Sequence, residues 1–272
     1  MSNLIKRTLF GAIYVAIIIT SLLFCRPYYF QAVFLLFSVF AVREFHHITH
    51  ADTWLTIIGM LAAWLLFAAL SVGMLTGFYT LKNVLLSLYG LTLIVGIVAE
   101  LFRKSADPIR NWGNLLTGQV MVALPFALCN MVMQKSNLLL LTLFVIIWMN
   151  DTAAYCIGSL IGKHKMFVRV SPGKSWEGFA FGWLFALLVG YIFLSDPFHF
   201  TQLHFTWWKS LLYTSLIVVT GTLGDLTESL TKRTLGIKDS GNVIPGHGGL
   251  LDRFDSALLA IPVLVLLLTA LG

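Results

Sequence analysis

Charged residues are scarce in this sequence. Only 11% of its 272 residues are Asp, Glu, Lys or Arg, while 58% are hydrophobic, and soluble domains contain roughly 25% charged residues. A soluble fold is therefore excluded. The three cysteines, Cys25, Cys129 and Cys156, stand singly, which excludes a disulfide scaffold, and the 22 glycines follow no triplet period, which excludes collagen. A polytopic membrane protein is the class that remains.

Long apolar runs are what the sequence has instead. A bilayer needs about 20 mostly apolar residues per helix, and nine stretches meet or nearly meet that length. We predict an all-α, polytopic transmembrane helix bundle with spans near 8–25, 28–43, 54–75, 83–102, 115–134, 138–157, 178–195, 210–230 and 257–271. The first span lacks an obvious small-residue cleavage site, so we interpret it as a retained helix and not as a signal peptide.

The basic residues predict the orientation of the spans. With the amino terminus in the cytoplasm, the outer loops hold four of the 18 Lys and Arg residues, Arg26, Lys82, Lys135 and Lys209, and the inner side holds the other fourteen. This is the bias of the positive-inside rule, and nine crossings then place the carboxyl terminus outside. Because the basic residues are spread thinly, the net charge of +6 does not indicate a nucleic-acid partner.

Acidic residues indicate where the chemistry lies. Seven of the twelve are found at or near the predicted cytoplasmic side between positions 150 and 255: Asp151, Glu177, Asp225, Glu228, Asp239, Asp252 and Asp255. In the eighth span, spacings of three and four place Asp225, Glu228, Ser229 and Lys232 on one helical face. An ionised Asp225 there costs about 2–3 kcal/mol unless it meets water, a cation or a metal. The alternative is a structural ion pair with a neighbouring lysine.

The segment 232–256 has the composition of a phosphate and metal site. Glycines at 246, 248 and 249 flank His247, and their backbone amides are suited to binding phosphate oxygens. Asp252 and Asp255 are three residues apart near the start of the ninth span, so both can point into one pocket. Grouped carboxylates suit Mg²⁺. The alternative is a solvated loop in which Asp252 or Asp255 caps a helix.

Three further segments carry polar residues. SPGKSWEG at 171–178 places Lys174 on a Pro-Gly turn, but Val168 stands where a P-loop would need glycine, so this is not a Walker motif. Asp151 ends the sixth span, either as a ligand or as a structural acid. The run HHITH at 46–50 has two histidines one turn apart with no third ligand nearby, so an interfacial loop is the preferred interpretation. Together, lysines and carboxylates at a membrane-embedded pocket suit phosphoryl or nucleotidyl transfer to a lipid.

The segment SLTKRTLGIKDSGNVIPGHGGLLDRFDS resembles the characteristic motif of the phosphatidate cytidylyltransferase (CDP-diacylglycerol synthase) family. GDLTES at 224–229, SPGKSWEG at 171–178 and the D-x-x-A-Y pattern of 151–155 extend the resemblance. Thr231, where the family usually has an apolar residue, and Ala153, often Gly, depart from it and concern packing more than chemistry. The resemblance is strong over roughly 140–260. We therefore describe 1–110 as N-terminal transmembrane helices and 111–272 as the catalytic region of one integral-membrane domain, with cytoplasmic loops 159–177 and 231–256.

The resemblance implies an enzyme that transfers CMP from CTP to phosphatidic acid, giving CDP-diacylglycerol and pyrophosphate. It implies a multi-pass protein of the inner membrane whose site faces the cytoplasm, with Mg²⁺ as cofactor; a second cation and a homodimer are left open. Catalytic roles would fall to Asp225, Asp252, Lys238, Asp239, His247 and Asp255, with His247 positioning groups and not acting as a base. Substrate binding would fall to Ser171, Lys174, Ser175, Glu228, Ser229, Lys232, Arg233, Gly248, Gly249 and Arg253. Metal binding would fall to Asp225, Asp252, Asp151 and Asp255.

Two rival classes remain as alternatives. A magnesium-dependent membrane prenyltransferase or alcohol phosphotransferase would also use carboxylates at a cytoplasmic pocket. However, an N-D-x-x-D motif would need Asp where Ala154 stands, and no D-G-x-x-A-R run occurs. An ion-coupled transporter would use Asp225 and Asp151 as cation sites. Against a transporter, the polar residues gather on one side of the membrane and no internal repeat is visible.

Overall fold

A computed structural model of the chain describes residues 3–23, 27–75, 79–195, 201, 205–241 and 248–271. Its helices in the first half are α1 (Asn3–Leu23), α2 (Pro27–Ile48), α3 (Thr53–Leu75), α4 (Tyr79–Arg103), α5 (Pro108–Thr117), a π-helical segment (Gly118–Ala123) and α6 (Leu124–Lys135). The second half contains α7 (Asn137–Ile161), strands β1 (Lys165–Phe167) and β2 (Ser171–Ser175), α8 (Trp176–Leu194), α9 (Trp207–Thr234) and α10 (Leu251–Leu271).

Eight described helices are long and apolar enough to cross a membrane, counting α5, the π-helical segment and α6 as one continuous run from Pro108 to Lys135. The apolar part of α1, Phe10–Leu23, is shorter than that criterion. The predicted all-α, polytopic fold is therefore confirmed. The number of crossings and the orientation of the termini stay predictions.

The chain divides into two compact units. The first consists of residues 1–134 and 239–254, and the second of 135–238 and 255–272. The boundary at residue 110 that we expected from the resemblance falls inside the first unit. Helix α10 contributes its first turn to the first unit and the rest of its length to the second.

The core of the first unit is an aromatic cluster centred on Phe254, which is almost fully buried. Its ring centroid lies 4.8 Å from that of Phe126, 5.3 Å from that of Phe37 and 6.3 Å from that of Phe34. The Tyr14 hydroxyl donates a hydrogen bond of 2.9 Å to the carbonyl oxygen of Arg253. These contacts fix the first turn of α10, which carries Asp252, against α1, α2 and α6.

The second unit is held by close packing of α7 against α8. Small residues on facing helices let the backbones approach, as is common in membrane bundles. A Cβ atom at Gly178 would lie 2.6 Å from the carbonyl oxygen of Ala154, and one at Gly182 would lie 2.8 Å from that of Asn150. These two glycines therefore set the distance between α7, which carries Asp151, and α8, which directly follows β2.

Gly182→Ala is expected to destabilise the protein by about 1–3 kcal/mol, because the added methyl group meets backbone and Ala154 atoms that cannot rotate away. Thermal unfolding of the purified protein in detergent measures this as a lower Tm. Gly90→Ala is the matched control, since nothing lies within 4 Å of a Cβ atom built at this helical position. An equal Tm for both variants would contradict the packing described here.

The structure differs from the expected element boundaries in ways that have local causes. Helix α9 continues to Thr234, beyond the apolar run, and an i,i+4 ion pair between Glu228 and Lys232, with N···O 3.3 Å, lies on its last turns. Helix α2 continues to Ile48 and buries His46, so HHITH is not the interfacial loop we expected. The loop predicted at 159–177 contains an antiparallel β-hairpin that hydropathy does not reveal.

Candidate functional site

A cavity of about 620 Å³ opens in the second unit between α7, the hairpin, α8 and α9. Polar side chains from four separate segments line it, including Asn150, Asp151, Ser171, Lys174, Ser175, Thr222 and Asp225. Four glycines, at 158, 162, 173 and 178, also line it and add no side-chain bulk to its walls. A polar cavity among helices that cross a bilayer is costly to maintain, so it is a candidate functional site.

An ion pair between Lys174 and Asp225 crosses this cavity. The Nζ atom of Lys174, on β2, lies 2.6 Å from Oδ2 of Asp225, on α9. The other carboxylate oxygen, Oδ1, accepts a hydrogen bond of 3.2 Å from the Ser229 hydroxyl one turn later. The ion pair with a lysine, which we raised as the alternative interpretation of Asp225, is therefore observed. It does not exclude a functional role, because both side chains line the cavity.

Asp151 adds a second carboxylate to the cavity wall. It interacts electrostatically with both Lys174 and Asp225, and its Oδ1 accepts a hydrogen bond of 3.2 Å from the amide of Asn150. The Oδ1 atom of Asn150 is buried and has no hydrogen-bond partner among the described residues. This oxygen lies against α8, since a Cβ atom at Gly182 would be 2.9 Å from it, so the Asp151 carboxylate is the group that this part of the wall offers to a cation.

The next turn of α9 and the start of α10 supply further charge. Asp255 lies close enough to Asp225, Asp151 and Lys232 to interact with their charges, and its Oδ1 accepts a hydrogen bond of 2.5 Å from the backbone N–H of Ser256. Arg233 donates to the backbone carbonyls of Val170, at 3.4 Å, and Ile237, at 3.3 Å. Arg233 therefore supports the hairpin, in addition to any contact with phosphate.

Ser175 has a structural task in this site. Its hydroxyl caps the amino terminus of α8 by accepting a hydrogen bond of 3.2 Å from the N–H of Gly178. A Cβ atom at Gly162 would lie 2.4 Å from this hydroxyl oxygen. The expected substrate-binding serine thus also holds the hairpin and α8 in place beside Lys174.

In the first unit, Asp252 organises the glycine segment at the start of α10. Its Oδ2 atom accepts hydrogen bonds from the N–H of Gly249 at 2.7 Å and from the N–H and hydroxyl of Ser240, both at 2.9 Å. Gly248 has a φ of +82°, and a Cβ atom there would lie 2.6 Å from Asp252 Oδ2. Asp252 is the second residue of α10, and its Oδ2 holds the backbone of residues 240 and 249 against the start of that helix.

Glu44 is the main residue of this region that sequence reasoning missed. It comes from α2, is only 6% exposed, and accepts hydrogen bonds from the N–H of Leu250 at 2.8 Å and of Leu251 at 3.4 Å. It also accepts one from the Ser240 hydroxyl. A Cβ atom at Gly249 would overlap its Oε1. The sequence did contain an indication of this role, because Glu44 lies near the end of an apolar span, where a carboxylate needs a partner.

The remaining predicted residues are placed as follows. Ser171 begins β2 at the cavity, and Glu228 pairs with Lys232 on α9. Lys238, in the second unit, and Asp239, in the first, are both exposed. Arg253 lies in the first turn of α10, where its backbone is fixed by Tyr14. His247 lies outside the described residues.

The sequence as a whole matches a model of the cytidylyltransferase family over residues 5–271. The chain belongs to this family. Curated relatives named phosphatidate cytidylyltransferase are 47% identical in Staphylococcus epidermidis, 45% in Staphylococcus haemolyticus and 44% in Staphylococcus aureus. Each match covers 125 residues, which is 46% of this chain and 46% of the relative. The chain thus spans about half the length of the curated relatives it matches, and the family assignment made from the motif is confirmed.

The oxygen donors of this cytidylyltransferase-family cavity fit a hard divalent cation. Among the described residues, no three His, Cys, Asp or Glu side chains come together as a ready metal site. Mg²⁺ commonly takes only one or two protein carboxylates and completes its octahedron with water and substrate phosphates. Asp225 and Asp151 supply two such carboxylates to this cavity.

Proposed function

We propose that this protein is a phosphatidate cytidylyltransferase, which converts CTP and phosphatidic acid into CDP-diacylglycerol and pyrophosphate. The observation that carries the proposal is the Lys174–Asp225 pair in a polar cavity built from candidate membrane-spanning helices. Family membership and the names of the relatives support the same activity.

The chemistry explains why this site needs no general base. The second pKa of a phosphate monoester is near 6, so phosphatidate is mostly dianionic at neutral pH and is already a nucleophile. Its oxygen attacks the α-phosphorus of CTP, the bond from that phosphorus to the bridging α–β oxygen breaks, and pyrophosphate leaves with the electron pair. What the protein must supply is alignment and neutralisation of two polyanions.

The side chains of this chain divide that work. Lys174, Lys232, Arg233, Lys238 and Arg253 are the proposed phosphate-binding cations. Asp225, with Asp151, is the proposed holder of Mg²⁺ in the second unit, and Asp252 and Asp255 are the further carboxylates that we propose for metal binding. Bound there, Mg²⁺ would neutralise phosphate charge. The Lys174 ammonium, at 2.6 Å from Asp225, is placed to bind a phosphate oxygen beside that carboxylate.

We propose further that the chain crosses the inner membrane nine times, with its amino terminus and this site on the cytoplasmic side. The fourteen basic residues of the predicted inner set support this orientation. Such a placement lets water-soluble CTP enter from the cytoplasm while the acyl chains of phosphatidate stay in the bilayer.

Two differently labelled forms of CTP test the proposed function. Purified protein is incubated with phosphatidate, Mg²⁺ and CTP carrying ³²P at either the α or the γ position, and the lipids are extracted. We expect α-label in the lipid fraction and γ-label in pyrophosphate. Label from the γ position in the lipid would indicate a lipid kinase instead. Absence of both labels from lipid, with well-folded protein, would contradict the proposal and favour the prenyltransferase or transporter alternatives.

His247→Gln is expected to lower turnover less than tenfold, because no proton must be removed from the nucleophile. The rate of α-label transfer between pH 6 and pH 9, compared between the wild type and the variant, measures this. A bell-shaped profile in the wild type that disappears in the variant would assign a base to His247 and contradict the proposed chemistry.

A further inference from the structure

The β-hairpin beside the cavity has features that the proposed reaction does not explain. It connects two candidate spans, Asn137–Ile161 and Trp176–Leu194, and lies outside both. Its strands pair with Lys165 opposite Ser175 and Phe167 opposite Ser171, and the turn is closed by a hydrogen bond of 3.2 Å from the N–H of Val170 to the carbonyl of Phe167.

The turn of this hairpin exposes large apolar side chains. Phe167 is 47% exposed and Val168 is 67% exposed. Exposed apolar residues within a membrane-spanning helix face lipid, but these two residues are not part of such a helix. Apolar surface in water is unfavourable by about 25 cal/mol per Å², so the exposed pair indicates a contact surface.

The charged side chains around the turn are basic. Lys163, Lys165 and Arg169 are all exposed. The nearby carboxylate of Glu177 is engaged by His164, whose backbone N–H donates to both carboxylate oxygens at 3.1 Å. The exposed charge of the hairpin is therefore positive, and this complements an anionic surface.

Trp176 indicates the depth at which the hairpin leaves the membrane. It is the first residue of α8, is 54% exposed, and its backbone N–H donates a hydrogen bond of 2.9 Å to the carbonyl of His164 at the start of the hairpin. Tryptophan is enriched at the headgroup level of membrane proteins. The base of the hairpin thus lies where lipid headgroups would be.

We propose that this hairpin is an anionic-lipid contact of the bilayer surface. Phe167 and Val168 insert among the upper acyl chains, while Lys163 and Arg169 bind headgroup phosphates. Lys165, Ser171 and Lys174 of the same hairpin line the cavity, so the hairpin is the wall between the cavity and the membrane surface. If the proposed function holds, this contact gathers phosphatidate at the cavity; the lipid contact itself does not depend on that function.

Site-specific fluorescence in lipid nanodiscs tests this proposal without measuring activity. The full chain carries Val168→Cys with Cys25→Ser and Cys156→Ser, and residue 168 is labelled with an environment-sensitive dye. The nanodiscs contain phosphatidylcholine alone or mixed with phosphatidylglycerol, each with a nitroxide-labelled lipid as quencher. We expect strong quenching that increases with the anionic lipid and weakens at high salt.

A pair of charge variants gives the control. Each basic residue near an anionic surface contributes about fivefold to association, so Lys163→Gln with Arg169→Gln should lower the ratio of inserted to free hairpin tenfold or more. Arg43→Gln with Lys104→Gln removes two exposed basic residues outside the hairpin and should leave quenching unchanged. A label that stays in water in both membranes would overturn the proposal. Quenching that changes neither with the anionic lipid nor with the Lys163 and Arg169 substitutions would also overturn it. An equal loss of quenching in the Arg43 and Lys104 control pair would overturn it as well.

Discussion

Asp225→Asn is expected to lower turnover by two to three orders of magnitude while the fold survives. The carboxylate is the proposed partner of both the divalent cation and Lys174, and loss of one preorganised electrostatic contact to a reacting phosphate commonly costs a factor of about 100–1,000. The amide keeps the shape of the side chain and can still accept the hydrogen bond from Ser229. The rate of α-label transfer to lipid, with Tm as the folding control, measures the effect.

Ser229→Ala is the matched control for Asp225. It removes the hydrogen bond of 3.2 Å to Oδ1 but keeps the carboxylate and its ion pair with Lys174. We expect a loss of less than tenfold. If Asp225→Asn kept a rate within tenfold of the wild type, the carboxylate would serve only the structural ion pair, and the assignment of this cavity as the active site would be wrong.

Glu44→Ala is expected to destabilise the first unit by about 3 kcal/mol or more, because it leaves the N–H groups of Leu250 and Leu251 and the Ser240 hydroxyl without their buried acceptor. The loss also removes a negative charge from the amino terminus of α10, where the helix dipole favours it. Tm in detergent and hydrogen exchange of residues 239–241 and 248–252 measure these two effects.

Glu44→Gln separates the charge from the shape. The amide retains one acceptor oxygen but turns an N–H₂ group toward a backbone donor, so faster exchange in the same residues is expected with a smaller loss of stability. Glu100→Gln is the control, because Glu100 is also a buried carboxylate of the first unit but binds Arg103 and Asn111. Unchanged exchange near α10 in the Glu44 variants would contradict the role described for this residue.

The helices could be predicted from the sequence because hydropathy and chain length dominate in a bilayer. Each of the nine predicted spans overlaps one described helix or helical run, although the end of α9 was placed too early. The last turns of that helix are polar and carry the Glu228–Lys232 ion pair, and hydropathy does not register helical turns of this kind.

The part of the candidate site that lies in the second unit could be predicted from the spacing of polar residues in the sequence. Helical periodicity predicts that Asp225 and Ser229 share one face, and the Pro-Gly turn singles out Lys174. The distance of 2.6 Å between Lys174 and Asp225, however, depends on the β-hairpin. The short strands of this hairpin give no clear periodic signal. The role of Glu44 could not be predicted from local pattern, because its partners at 240 and 250–251 are about 200 residues away in the chain.

The proposed chemistry depends most on the claim that Asp151 of α7 and Asp225 of α9, which line the same cavity of the second unit, share one divalent cation. Mn²⁺ binding to the purified full chain, counted by electron paramagnetic resonance in the presence of CTP, tests it directly. We expect Asp225→Asn and Asp151→Asn each to abolish binding, and the double variant to be no weaker than either single one, since a shared site is lost only once. Asp107→Asn, which removes an exposed carboxylate outside the proposed site, should bind like the wild type. Wild-type binding of Mn²⁺ by either the Asp225 or the Asp151 variant would contradict the claim.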